Sequence, residues 1–250
     1  MRKSHFALVA AALLTAGTLA AQAQKQPSPI AGPYKAIAIT PPASMTDANF
    51  ESFRKQLGEV AQRKDRAALE RLVVAQGFFW DREGRNSADK RKSGIDNLAT
   101  ALGLSNKDGV GWEILFSYAD DPTASASPNH KGAFCAPGEP AYSTAEFAEL
   151  LKTTQSVVSE WGYPVSAGIE VHATAQANAP VIDKLGLIFV RVAPETTPTS
   201  AAYLRIVTPG GKAGYVSVDT IGPLGNDQLC YVNDSGAWKI GGFIGGGEPQ

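Results

Sequence analysis

The stretch with the clearest chemical suggestion is IVTPGGKAGYVSV, residues 206–218, where a glycine pair precedes a lysine. Glycine-rich loops ending in lysine bind phosphates when the pattern is G-x-x-x-x-G-K-[S/T], with amides around the phosphates, lysine against them and a hydroxyl for Mg²⁺. Counting from Gly211, the required first glycine falls on Ile206 and the required hydroxyl on Ala213. Both positions fail, and β-patterned residues flank the loop on each side. Proline fixes one φ and glycine supplies a positive one, so Pro209-Gly210 instead predicts a strand-to-strand turn with Lys212 as a solvated charge.

The other candidates for covalent chemistry are few. Beyond the leader the histidines are His130 and His172. A nucleophile, an imidazole and an orienting group must meet for triad catalysis, and no local motif joins either histidine to Cys135 or Cys230. His172 falls on an outward strand position. Two histidines without a clustered cysteine pair make a poor transition-metal site, and ADDP at 119–122 lacks the ligand periodicity of a calcium loop. No metal or cofactor is expected. The acids nearest aromatic residues are Asp81 and Glu83 in FFWDREG and Glu113 beside Trp112. They are the alternative catalytic set, for a glycan hydrolase or lyase working through carboxylates. Phe78, Phe79 and Trp80 are three consecutive large aromatics, which neither a helix nor a strand buries on one face. They fill a core, or one of them lines a groove.

The N-terminus reads MRKSH, then FALVAAALLTAGTLA, then Ala21-Gln22-Ala23. A basic tip, an apolar core and an A-x-A site predict a signal peptide over 1–23. Its apolar run is shorter than the roughly 20 residues of a spanning helix. Cleavage after Ala23 removes Arg2 and Lys3 and no acid, so the formal charge of −1 becomes −3, 21 basic residues against 24 acidic. That balance argues against a nucleic-acid surface. The expected product is periplasmic or secreted, without a membrane span. In such a compartment Cys135 and Cys230 are a disulfide candidate that would tie the two halves of the chain together.

Two periodicities divide what must position these groups. Residues 24–45 are proline-rich and read as an extended lead-in. From 46 to 160 the apolar spacing is helical: Phe50, Phe53, Leu57, Val60 and Ala61 share one face, Leu69, Leu72 and Val73 another, and Ile95, Leu98 and Leu102 a third. Asp47 (or Thr46), Asp65, Ser93 with Asp96, and Ser143 with Glu146 are the candidate caps. Residues 119–142, rich in Pro, Gly, Ser and Asp, read as a long loop. Beyond about 165, GIEVHATA, LIFVRV, YLRIVT, GYVSV, LCYV and WKIGGFI alternate as short strands separated by turns. The expected class is α+β, an N-terminal all-helical domain followed by a small antiparallel β-barrel or sandwich at 165–245, with Trp238 in a core.

The second part resembles the bacterial SH3-like (SH3b) family. The resemblance rests on Val171 with Ala173, Val181 to Leu185 and Gly186, Val190 with Val192, and the closing Gly211 to Gly214-Tyr215-Val216. It covers about 165–222, and about 165–245 with the tail included. Two departures are Tyr203, where many relatives carry tryptophan, and the long tail QLCYVNDSGAWKIGGFIGG. The resemblance implies a compact SH3-like barrel on an exported protein, binding a cell-wall fragment, a peptide or an envelope protein without catalysis. It also implies a polar-aromatic binding face, for which Phe189, Arg191, Tyr203, Arg205, Tyr215 and Tyr231 are the candidates. A purely structural envelope role is the remaining alternative. Oligomeric state is left open.

Overall fold

The computed structural model describes residues 32–82, 84–193 and 200–246. The signal-peptide reading over 1–23 and the candidate acid Glu83 lie outside the described residues. Among the described residues there are five α-helices, and four of them begin where a side chain accepts from their free amides. Helix α1 (Ala48–Gln62) starts at Asp47, whose Oδ1 accepts from the amides of Asn49 at 2.8 Å and Phe50 at 2.9 Å. Helix α2 (Arg66–Glu70) starts at Asp65 and α3 (Gly94–Leu102) at Ser93. Helix α4 (Val110–Asp120) follows Gly109, and α5 (Thr144–Thr154) starts at Ser143. Each such cap contributes about 1 kcal/mol.

In chain order the strands are β1 (Ile39–Thr40), β2 (Phe79–Arg82), β3 (Arg85–Asn86), β4 (Ser125–Ala126), β5 (Ala133–Ala136), β6 (Ala141–Tyr142), β7 (Trp161–Pro164) and β8 (Ile169–His172). They continue with β9 (Val181–Leu185), β10 (Val190–Val192), β11 (Tyr203–Val207), β12 (Ala213–Ser217), β13 (Ile221–Pro223), β14 (Gln228–Asp234) and β15 (Ala237–Ile244). The architecture is mixed α and β, helices leaning to the N-terminal side and strands dominating the C-terminal side.

The helical part is not all-helical. Its helices pack on a six-stranded sheet of order β3-β2-β15-β14-β5-β4, whose two central strands come from the far end of the chain. The tail assigned to the barrel from sequence therefore completes the first unit. Phe50, Phe53, Leu57, Leu98 and Leu115 meet Trp80, Leu229, Tyr231, Trp238, Ile240 and Phe243 in one core. Strand alternation resolves the aromatic triplet: Phe78 and Trp80 enter this core, while Phe79 packs on the opposite face with Cys135 and Cys230. There the Phe79 ring lies against Gly242, where a Cβ would have no room. Residues 119–142 are likewise not only loop, since β4, β5 and β6 lie within them.

The second sheet has seven strands in the order β13-β7-β10-β11-β12-β8-β9, with every neighbouring pair antiparallel. Val171, Leu185, Val190, Ile206, Val216 and Ile221 form one cluster to which both end strands contribute. The sheet is thus curled around a shared core, although among the described residues β9 and β13 do not pair and no barrel is closed. On its other side Phe189, Trp161 and Tyr163 meet Phe147 and Leu150 of α5 and Ile37 and Ile39 of the lead-in. Thr208 N–H donates to Lys212 O at 2.9 Å and Gly211 N–H to Thr208 O at 2.8 Å, with φ +79° at Gly211. PGGKAG is the hairpin turn between β11 and β12.

The chain passes between the two units three times. The lead-in belongs with the seven-stranded sheet, through Tyr34 N–H to Pro209 O and the β1–β6 pair. It crosses at Pro41-Pro42, returns at Pro137-Gly138 and crosses back over residues 223–227. The Cys135–Cys230 disulfide is present. It joins neighbouring strands β5 and β14 inside the six-stranded sheet. It therefore does not tie one unit to the other, but closes the base from which residues 137–223 project.

Candidate functional site

The structure disperses the six-residue face. Tyr231 is fully buried against Phe50 and Phe53, and its hydroxyl donates to Tyr118 O at 3.2 Å. Phe189 is fully buried against Tyr142 and Phe147. Arg191 is buried too, and its guanidinium donates twice to Glu160 Oε2, at 3.0 and 2.5 Å. Tyr203, Arg205 and Tyr215 remain half-exposed on the β11–β12 hairpin, where Arg205 faces Tyr215 and Tyr215 in turn faces His172. Half of the expected face survives as one surface.

Of the candidate acids, the two among the described residues, Asp81 and Glu113, do not converge. Asp81 lies on the Phe79 side of the six-stranded sheet, where its Oδ2 meets His130 Nε2 at 2.7 Å. The His130 ring stacks on Phe79 with centroids 3.6 Å apart. Glu113 is exposed on α4, which packs on the other side of that sheet. A two-carboxylate mechanism needs both acids flanking one bond, and this pair is separated by the sheet. Among the described residues no three His, Cys, Asp or Glu side chains gather as a metal site.

What the fold does build is a groove of about 740 Å³ between the two units. All three crossings run along it, contributing Pro41 and Pro42, Pro137 and Gly138, and Pro223, Asn226 and Asp227. The first unit supplies Leu102, Ile114, Tyr118 and Phe243, and the second Tyr163, Val165 and Gly222. Prolines suit such a wall because they hold extended backbone and bring no amide donor that would need a partner. Tyr163 lies across Gly222, where a side chain would collide with its ring.

Two features give the groove chemical direction. Tyr118 is 9% and Tyr163 6% exposed, and among the described residues neither hydroxyl has a protein hydrogen-bond partner. Buried phenols almost always find partners, so two unpaired ones on a cavity wall are ready to bond a guest. The second feature is charge. Asp121 and Asp227 line the groove, and no lysine or arginine does among the described residues. Asp121 Oδ1 is fixed by the Thr123 amide at 2.7 Å and hydroxyl at 2.6 Å. Asp227 Oδ1 accepts from Gly246 N–H at 3.2 Å.

Behind the wall, Glu139 accepts from the Gly225 and Asn226 amides, yet its burial pushes its carboxyl above the usual range. Burial, then the charges of Glu139 and Asp121, push the Tyr163 phenol up to about 12. Burial and then Asp227 raise Tyr118 as well. Both phenols therefore stay protonated hydrogen-bond donors in a negative field.

The groove pairs apolar walls with two tyrosine hydroxyls and two carboxylates. No contiguous motif in the sequence marks it. Its signals were prolines at three separate element boundaries and the tyrosine of WGYP, which nothing local connects. No protein-family model matches this chain, and comparison with curated proteins yields no match.

Proposed function

We propose that this is an exported, non-enzymatic binding protein, that its second unit is an SH3b-like module, and that the groove between the units takes a cell-wall peptide. The observation that carries the groove reading is the pair of nine-tenths-buried tyrosines whose hydroxyls have no partner among the described residues. The SH3b-like reading draws support from the curled antiparallel sheet with an apolar cluster shared by its end strands, and from a glycine hairpin standing where the family pattern closes. Export rests on the leader's composition. Among the described residues no helix is long and apolar enough to cross a membrane, and Asp81 and Glu113 lie on opposite sides of the six-stranded sheet.

The test is retention of the mature 24–250 protein on purified sacculi, beside the Tyr118→Phe/Tyr163→Phe double variant, with zymography on the same material. A 24–160 truncation is not a usable control, because it lacks β14 and β15 and with them the centre of the first unit's sheet. Retention by the parent protein, reduced about tenfold or more in the variant without loss of circular-dichroism signal, supports the proposal. Two lost hydrogen bonds at about 1 kcal/mol each set that magnitude. Equal retention refutes the groove, clearing in the zymogram refutes a non-enzymatic role, and no retention moves the partner from wall to envelope protein.

A further inference from the structure

Resting on the groove reading, we infer that the groove selects its ligand by a free primary ammonium group. Asp121 stands at the C-terminal end of α4, while Asp227 stands on the loop by which the chain re-enters the first unit. Each holds its Oδ1 in place through a protein donor, and each keeps an Oδ2 with no protein partner among the described residues. Two carboxylates and the buried carboxyl of Glu139 give one sign of charge, and no cation among the lining residues offsets it. In a cleft with apolar walls such a field is focused on whatever enters.

The acceptors come from separate elements, which decides the kind of cation. A guanidinium is planar and prefers to pair two donors with one carboxylate, whereas an ammonium directs three donors in different directions. Asp121 and Asp227 from two elements, with a phenol oxygen of Tyr118 or Tyr163, are three such acceptors. The remaining phenol donates, which suits a peptide carbonyl. The ligand class is therefore a short peptide bearing a free amine on its terminus or on an aminoalkyl side chain, rather than a neutral glycan or an acidic peptide.

The test uses the mature protein with untreated sacculi and with sacculi whose free amines have been acetylated. In parallel, C-amidated Gly-Gly-Lys and its Nα,Nε-diacetyl form are titrated calorimetrically. Charge-assisted bonds exceed neutral ones by enough that losing the ammonium should weaken binding about tenfold or more. The expected result is that acetylation reduces retention by that factor. Asp121→Asn/Asp227→Asn should do the same to untreated sacculi, and Glu51→Gln, which removes an exposed acid on α1, should not. Equal retention of treated and untreated sacculi overturns the ammonium inference and leaves the tyrosine groove standing. If neither form is retained, the wall reading has failed and the tripeptides decide. Tighter binding of the free amine, lost in the double Asn variant, upholds the inference, and equal or absent binding of both forms overturns it.

Discussion

Removing the Cys135–Cys230 link tests how the two units share stability. The bond closes a segment with a sequence separation of 95 residues, and both cysteines are almost wholly buried. If the molecule unfolds as one body, the cross-link restrains an unfolded loop of that length, a stabilisation of about 4–5 kcal/mol. If the seven-stranded unit stays folded while the first unit melts, residues near 140 and 223 are already held together. The restrained loop is then only on the order of 15 residues, and the same treatment gives about 3 kcal/mol. Urea unfolding of oxidised and reduced protein, followed by tryptophan fluorescence and circular dichroism, separates the cases. One coincident transition with the larger loss means a single cooperative body, and two transitions with the smaller loss mean separable units. The Cys135→Ala/Cys230→Ala variant should resemble reduced protein, less about 1 kcal/mol for packing lost beside Phe79. A reduced protein within 1 kcal/mol of the oxidised form would refute the reasoning.

Two further outcomes are expected. Glu139 has its carboxyl raised by burial, so above the ordinary value of 4.5 the folded state holds more proton than the unfolded one. Its contribution to stability therefore falls as pH rises through that window. Glu139→Gln should be more stable than the parent at pH 7, the gain shrinking towards pH 4.5, and parallel urea midpoints across pH 4–8 would contradict this. Comparison between variants cancels the opposite slopes of the exposed Asp89, Asp96 and Glu146, which neighbouring donors hold low. Thr208 has a buried hydroxyl without a partner among the described residues. The nearly isosteric Thr208→Val should raise unfolding free energy by about 1 kcal/mol, and a loss of stability would show that the hydroxyl is satisfied after all.

What the sequence revealed was local. Asp47, Asp65, Ser93 and Ser143 cap helices because a capping oxygen sits two or three residues from the amides it serves. The Pro209-Gly210 turn is legible for the same reason. The sheet of the first unit was not, because β15 lies parallel to β2 across more than 150 residues, and only three-dimensional proximity relates them. Strands of two and four residues, such as β4 and β5, are too short to show a period. Arg191 and Tyr231 looked like surface groups by type, and the fold buried both by giving one an ion pair and the other an aromatic nest. The groove escaped notice because each crossing contributes only a few residues, and none of the three carries a motif.

The interleaved path also orders events in the making of the molecule. Synthesis runs from the N-terminus, so α1 to α4 exist long before their two middle strands. Until residues 228–244 arrive, Phe50, Leu57, Leu98 and Leu115 have no sheet to cover them. The seven-stranded unit, by contrast, has all its strands once residue 223 has emerged. A ribosome that stalls beyond that point releases a chain whose β-unit is complete and whose helices are bare, sticky and open to proteases. The first unit, though it begins the chain, is thus the later of the two to be complete, because its two middle strands are made after those of the seven-stranded sheet.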